Sequence, residues 1–439
     1  MESLYSELRS GESLSAELRG EVSDFLRLNS HAPPGLVRQI GRVEEAELAL
    51  RLVVVDGDAA REVRRAVTLT GAGPRDLELV HEELREARAL AQSVPPSPWV
   101  TAPSGAETSR HTELASPACI PDVVATLASA TDGIDVAGLV SLGDILRASA
   151  TSTGRFHWFE TSQTTVDLSL YGDRGGAAKL LFATPRFDAR RVEDELSAAR
   201  ALLPVLAREP RRVGPGDART YLAPAAVAEL VAMLSWGCMS EASVQQGDSP
   251  LRKVRRGEAR LSPLVSLSED FLRCGVPRFN ELGELAEERV PLVADGELVA
   301  TLVSSKTARE YGVPSNFAAP TEVLRAPVLR GGALAATEAM RALGSGVFAS
   351  NLWYLNWSDQ PAGRVTGTTR YASLWVEEGV PVAPLAGARF DDTLFRILGT
   401  ELEALTEASM VPDASTYDFR ALGGAVVPGL LLRALAFTS

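Results

Sequence analysis

Residues 344–399 read GSGVFASNLWYLNWSDQPAGRVTGTTRYASLWVEEGVPVAPLAGARFDDTLFRILG, and they hold three of the chain's six tryptophans and two of its seven tyrosines. The run 350–357 is dense in aromatic and apolar residues, which predicts a largely buried strand. Ser358-Asp359-Gln360-Pro361-Ala362-Gly363 is a turn cluster. Residues 370–376 alternate, with Tyr371, Ser373 and Trp375 on one face and Ala372, Leu374 and Val376 on the other, so a second strand is expected. A turn at Glu377-Glu378-Gly379 and a short return strand over 380–385 complete a hairpin. Asp391 or Asp392 is then placed to cap a short helix over 393–398 that stops at Gly399.

That order of elements resembles the C-terminal core of the TldD/PmbA family, also called the modulator-of-DNA-gyrase family. The resemblance rests on Thr366-Gly367, read as a turn, the aromatic strand from Tyr371 to Trp375, and Trp375-Val376-Glu377-Glu378-Gly379. It continues through Phe390-Asp391-Asp392 and Leu398-Gly399. Weaker similarity extends upstream to the start of the chain. The fold it implies is α+β, with an α/β N-terminal domain and a β-rich C-terminal domain.

Working outward, 439 residues exceed what one core usually holds, so two domains are expected. Hydrophobic residues at 45% and charged residues at 23% are ordinary for a globular chain. A net charge of −13 argues against a nucleic-acid surface, which needs clustered Lys and Arg. Three scattered cysteines, Cys119, Cys238 and Cys274, fit free thiols in a reducing cytoplasm better than a disulfide framework. The first residues lack the basic and apolar regions of a signal peptide. The most apolar run, 421–437, is broken by Pro428 and Arg433 and reads as buried terminal structure, not a membrane span.

The N-terminal domain is expected over 1–209. Residues 14–29 fit strand or helix equally well. Residues 46–55 read as a strand, Asp56-Gly57-Asp58 as a turn, and 63–70 as the returning arm. Leu77, Val80, Leu84, Ala87 and Leu90 predict an amphipathic helix over 76–91. Residues 94–110 form a Pro-rich loop. A helix over 121–131, strands within 137–170 and a helix over 188–208 follow. Residues 209–216 are the best boundary. The C-terminal domain, 217–439, opens with a helix over 225–236. Strands are expected over 261–267 and 289–304, then a short helix over 305–311 and the family core 344–399.

In the catalytic members of this family the resemblance implies His-Glu-x-x-x-His on the first helix of the second domain, with a cysteine from the C-terminal core as third zinc ligand. Aligned on Pro224, those positions fall on Ala232, Met233 and Trp236, none of which can bind zinc or act as a base. No histidine follows His157, and no cysteine follows Cys274. The resemblance therefore implies a TldE/PmbA-like subunit without its own catalytic or metal site, paired with a TldD-like zinc peptidase that carries the zinc. Such pairs act on unfolded peptides, including leader peptides of natural-product precursors. The peptide would lie extended along an exposed strand, held by main-chain hydrogen bonds. Candidate contacts to the peptide or the partner subunit are Trp353, Tyr354, Asn356, Trp357, Thr366, Gly367, Arg370 and Tyr371. Core packing is the commoner role for aromatics such as Trp353, Tyr354 and Trp357. Two other readings stand beside this one: a peptidase or amidase with a non-standard site, and a homodimeric peptide-binding scaffold.

The remaining motifs are weaker. His81-Glu82-Glu83 starts like a zincin motif, but no second histidine follows, so it reads as a solvated helix face. His157 reads as a packed strand histidine, and His31 and His111 as surface loop residues. Gly71-Ala72-Gly73 lacks the context of a dinucleotide turn. Arg252-Lys253-Val254-Arg255-Arg256 reads as a solvated basic run. Cys238 reads as a buried structural thiol.

Overall fold

The structure is a computed structural model that describes residues 2–30, 37–172 and 174–438. His31 lies outside the described residues. After a short helix, α1 (Glu2–Ser6), the chain builds one sheet from β1 (Glu12–Asn29), β2 (Val37–Asp56), β3 (Ala59–Thr68), β4 (Thr108–Glu113), β5 (Asp135–Thr151), β6 (Phe156–Tyr171) and β7 (Ala177–Thr184). Its order is β3-β2-β1-β5-β6-β4, with β7 also paired to β6. The ambiguous run 14–29 is thus a strand. β4 takes the end of the expected 94–110 loop and carries His111, which stacks on Phe159 at 4.7 Å between ring centroids instead of lying in a loop.

Register explains the two faces of this sheet. Leu14 lies opposite Leu52, and Leu26 lies opposite Val140, which lies opposite Val166. Those even positions of β1 head an apolar face. It packs against α2 (Gly73–Ala91), α3 (Ile120–Ala130) and α4 (Ala189–Arg200) through Val80, Leu84, Val123, Leu127, Val192 and Leu196. The other face is polar: Ser15 lies between Arg51 and Thr151, and Ser149 lies between Glu17 and His157. The helix expected over 188–208 ends at Arg200; a separate turn, α5 (Leu203–Leu206), follows where Pro204 cannot donate to a continuing helix.

From Gly216 the chain forms two more sheets. Their strands are β8 (Gly216–Leu222), β9 (Leu267–Asp270), β10 (Arg289–Ala294), β11 (Glu297–Leu298), β12 (Pro327–Leu329), β13 (Gly346–Ala349), β14 (Asn351–Asp359), β15 (Arg364–Arg370), β16 (Leu374–Glu377), β17 (Val380–Pro384), β18 (Arg389–Thr393), β19 (Leu402–Leu405), β20 (Ser409–Pro412), β21 (Gly424–Val427) and β22 (Leu430–Phe437). One sheet runs β11-β10-β9-β12-β21-β20; the other runs β14-β15-β18-β22-β8-β13-β16-β17, with β19 on β22. A shared core of Leu222, Val227, Leu230, Phe271, Leu292, Val347, Phe390 and Leu432 fills the space around α6 (Pro224–Leu234).

Several expectations are corrected here. Residues 261–266 are irregular, and 289–304 keeps strand geometry only through Ala294 and at Glu297–Leu298. Thr366 and Gly367 are not a turn; they sit mid-strand in β15 opposite Asp391 and Phe390. Gly367 is needed there for space, since a Cβ would lie 2.9 Å from the Phe390 ring. The strand expected over 370–376 is two strands, because Tyr371 takes φ +55° and breaks the ladder. Asp391 and Asp392 belong to β18 and do not cap a helix; buried Asp392 instead accepts the Ala436 N–H at 3.0 Å. Residues 421–437 do form buried terminal strands, and no helix among the described residues is long and apolar enough to cross a membrane.

The second half docks on the polar face of the first sheet. Arg420, 3% exposed, donates to Ser23 Oγ at 2.8 Å and to the Ser141 and Gln163 carbonyls, while its N–H meets Glu21 at 2.6 Å. Phe279 stacks on His157 at 5.2 Å. Ala372 and Leu374 add an apolar contact by joining the cluster under α3 and α4.

Candidate functional site

Where the polar face of the first sheet meets α6, β14, β15, β20 and β21, a cavity of about 450 Å³ opens. The sheet contributes Asp167, Lys179 and Leu181; Asp167 pairs with Leu181 in register, so both point the same way. Helix α6 contributes Ala225, Ala228, Glu229, Ala232 and Ser235, one face at helical spacing. The hairpin supplies Asn351, Leu352, Trp353 and Arg370, and Tyr371 follows it. Leu324, Arg325 and Pro327 and the segment around Asp413 close the remaining sides.

The charges in this cavity differ in how they are held. Lys179 and Asp167 form an ion pair. Arg325 spends its terminal nitrogens on the Phe279 and Arg278 carbonyls at 2.8 and 3.2 Å. Asp413 accepts the Ser415 N–H at 2.8 Å. Desolvation by the cavity walls pushes the Glu229 carboxyl above the ordinary range; the Asp413 charge adds to this, and Arg370 pulls the other way. The Arg370 guanidinium lies 3.6 Å from the Trp353 ring centroid and 4.6 Å from that of Tyr371. Such stacking fixes a cation without using its N–H donors.

Of the sequence candidates, the structure brings Trp353, Arg370 and Tyr371 together in the cavity. Tyr354 packs edge-on against Trp353 but is 77% exposed at φ +51°. Asn356, Trp357, Thr366 and Gly367 do not line it. Trp357 is half-buried and donates from Nε1 to the Trp236 carbonyl at 2.9 Å. Thr366 donates to the Phe390 carbonyl at 3.0 Å. The strand expected to be buried is mostly exposed, and Trp353 at 43% and Tyr354 at 77% are surface aromatics, not core.

The positions taken for the zinc motif separate. Ala232 faces the cavity, Met233 is 1% exposed in the core, Trp236 is 53% exposed beyond the helix end, and Gly237, the sixth position counted from Ala232, has no side chain to offer a metal. The cavity face of α6 offers three alanine methyls, a serine and the Glu229 carboxylate, a set that does not fit zinc, which takes three or four N, S or O ligands. Among the described residues no three His, Cys, Asp or Glu side chains gather as a metal site would require. Sequence reasoning missed Glu229, Asp167, Lys179 and Asp413. Glu229 could have been found as the one charged residue on an otherwise apolar helix, Pro224–Leu234.

Elsewhere, His157 is fully buried with Nδ1 2.8 Å from Ser109 Oγ, and burial depresses its pKa. His81 sits 3.1 Å from Glu7 on its helix, and Arg255 of the basic run is bidentate to Glu241 at 2.5–2.9 Å.

No curated protein sequence matches the chain. Among the solved structures similar to this chain, three match over nearly their whole length. TldE from Thermococcus kodakarensis has a TM-score of 0.75 at 12% identity, covering 100% of this chain and 98% of its own. A Thermotoga maritima MSB8 protein named as a candidate modulator of a DNA gyrase has a TM-score of 0.73 at 13% identity, covering 99% and 98%. A Bacteroides thetaiotaomicron protein named likewise has a TM-score of 0.73 at 12% identity, covering 97% and 94%. These likenesses show a shared fold. Residues 215–439, just over half of the chain, match the family model described as the PmbA/TldA metallopeptidase C-terminal domain, so the chain belongs to the TldD/PmbA family.

Proposed function

We propose that this chain is the TldE/PmbA-like, non-catalytic subunit of a two-subunit zinc peptidase acting on unfolded peptides, the zinc being held by a TldD-like partner. The observation that carries the reading is the cavity face of α6, which presents Ala225, Ala228 and Ala232 with a single carboxylate, Glu229, in a family of metallopeptidases. In this reading the chain shapes a chamber and grips an extended peptide. β14 suits that role because it is an end strand of its sheet, so its outer edge has main-chain groups to offer an added strand. Leader peptides of natural-product precursors are the substrate class proposed, and the cytoplasm the compartment.

The deciding experiment measures zinc per polypeptide and turnover of an unfolded peptide, for the chain alone and for its complex with a TldD-like partner. Zinc and turnover only in the complex support the reading. Stoichiometric zinc or turnover by the lone chain sinks it.

A further inference from the structure

Arg370 is the cavity's uncommitted fixed charge. Its guanidinium lies against the Trp353 and Tyr371 rings, 3.6 and 4.6 Å from their centroids, and no acceptor among the described residues takes a side-chain hydrogen bond from it. Of the other two cations, Lys179 pairs with Asp167, and Arg325 gives both terminal nitrogens to backbone carbonyls, leaving only its buried Nε without a partner. The clamp is built at a conformational expense, since Tyr371 adopts φ +55°, which a non-glycine residue holds only when its surroundings demand it. A planar guanidinium stacked on aromatic rings still has its edge donors, the geometry that receives a carboxylate in a bidentate fork.

The acids nearby do not remove this opportunity. Asp413 takes the Ser415 N–H, and among the described residues neither Asp413 nor Glu229 accepts a hydrogen bond from Arg370. A carboxylate at Arg370 meets donors that no side chain of the cavity occupies, in a partly desolvated space.

We propose that Arg370 is a carboxylate anchor: the peptides held in this cavity are those that present a carboxylate, from a free C-terminus or from an Asp or Glu side chain, to the Arg370 edge. This rests on the peptide-holding reading above and adds a selection rule to it.

The test uses the full chain, because its own residues line the cavity. Fluorescence anisotropy would compare four labelled peptides of one neutral sequence: free C-terminus, C-terminal amide, amide with one Asp, and amide with one Lys. The expected result is that the first, the third or both bind about tenfold or more tighter than the neutral amide. The two arms separate terminal from side-chain carboxylate. Arg370→Gln is expected to erase the preference, and Arg370→Lys to restore only part of it, since an ammonium lacks the fork. Equal binding of all four peptides, preference for the Lys peptide, or an unchanged preference in Arg370→Gln would overturn the proposal. Should the variant not fold, the wild-type comparison still decides. Loss of carboxylate preference leaves the helper-subunit reading standing, whereas that reading falls on zinc or turnover in the lone chain.

Discussion

A thiol reports its surroundings directly, and the three here differ. Cys238 and Cys274 are buried, and desolvation pushes both up to about 12, so almost none of either is thiolate at pH 8. Cys119 is exposed at the start of α3. A thiol-exchange reagent at pH 8 should therefore titrate one group quickly in the native chain and three after denaturation. Two or three fast groups in the native chain would contradict the burial. The sequence anticipated this for Cys238, because an apolar helix without a nearby base leaves a thiol nothing to activate it. It also named Arg370 as a candidate contact, but not what sets it apart, since donors without acceptors beside two aromatic rings are a property of three-dimensional neighbours.

Among the elements, β15 carries a steric demand that a single substitution can test. Gly367 faces the Phe390 ring, itself 1% exposed, at a distance that leaves no room for a methyl group. Gly367→Ala is expected to destabilise the fold by about 1–3 kcal/mol by overpacking, read as a lower denaturant midpoint at unchanged slope. No loss would mean that Phe390 can swing aside. Long periodic elements were legible in the sequence: the helices near 76–91, 121–131 and 225–236, the hairpin at 46–70, and the turn at 358–363. What failed in the aromatic stretch shares one cause. The stretch 350–376 was read by residue type, as buried aromatic strand and alternation, whereas tertiary context set its outcome. An end strand leaves Trp353 and Tyr354 in water, and a left-handed Tyr371 splits the following strand. The hairpin expected over 370–385 is present as β16–β17 from Leu374 onward, whereas the cavity's β14–β15 hairpin went unread, because Thr-Gly reads locally as a turn even where the glycine serves packing.

The whole molecule is joined across the polar face of its first sheet, and His157 lies in that joint. Burial lowers its pKa from 6.5, the neighbouring Arg155 adds to that, and Glu107 opposes it. The unfolded chain takes up a proton as pH falls through about 6.5, while the folded chain does not. The unfolded state then binds more protons, so folding stability present above 6.5 declines below it, down to the folded-state value. Glu17, whose carboxyl is raised by burial and by Glu281, runs the other way: its contribution is present below 4.5 and is lost as pH rises through the folded value. Comparing His157→Gln with the wild type isolates the histidine. The variant should show a flatter stability profile between pH 5 and 7, roughly the range where an ordinary histidine titrates; identical slopes would refute the assignment. The stacked pair at the cavity mouth has one more consequence. An indole 43% open to water, with a guanidinium 3.6 Å from its centroid, is a built-in optical probe. A carboxylate that draws on Arg370 must alter the field across Trp353, so the emission of the unlabelled protein should shift as the cavity fills, and that shift should vanish in Trp353→Phe.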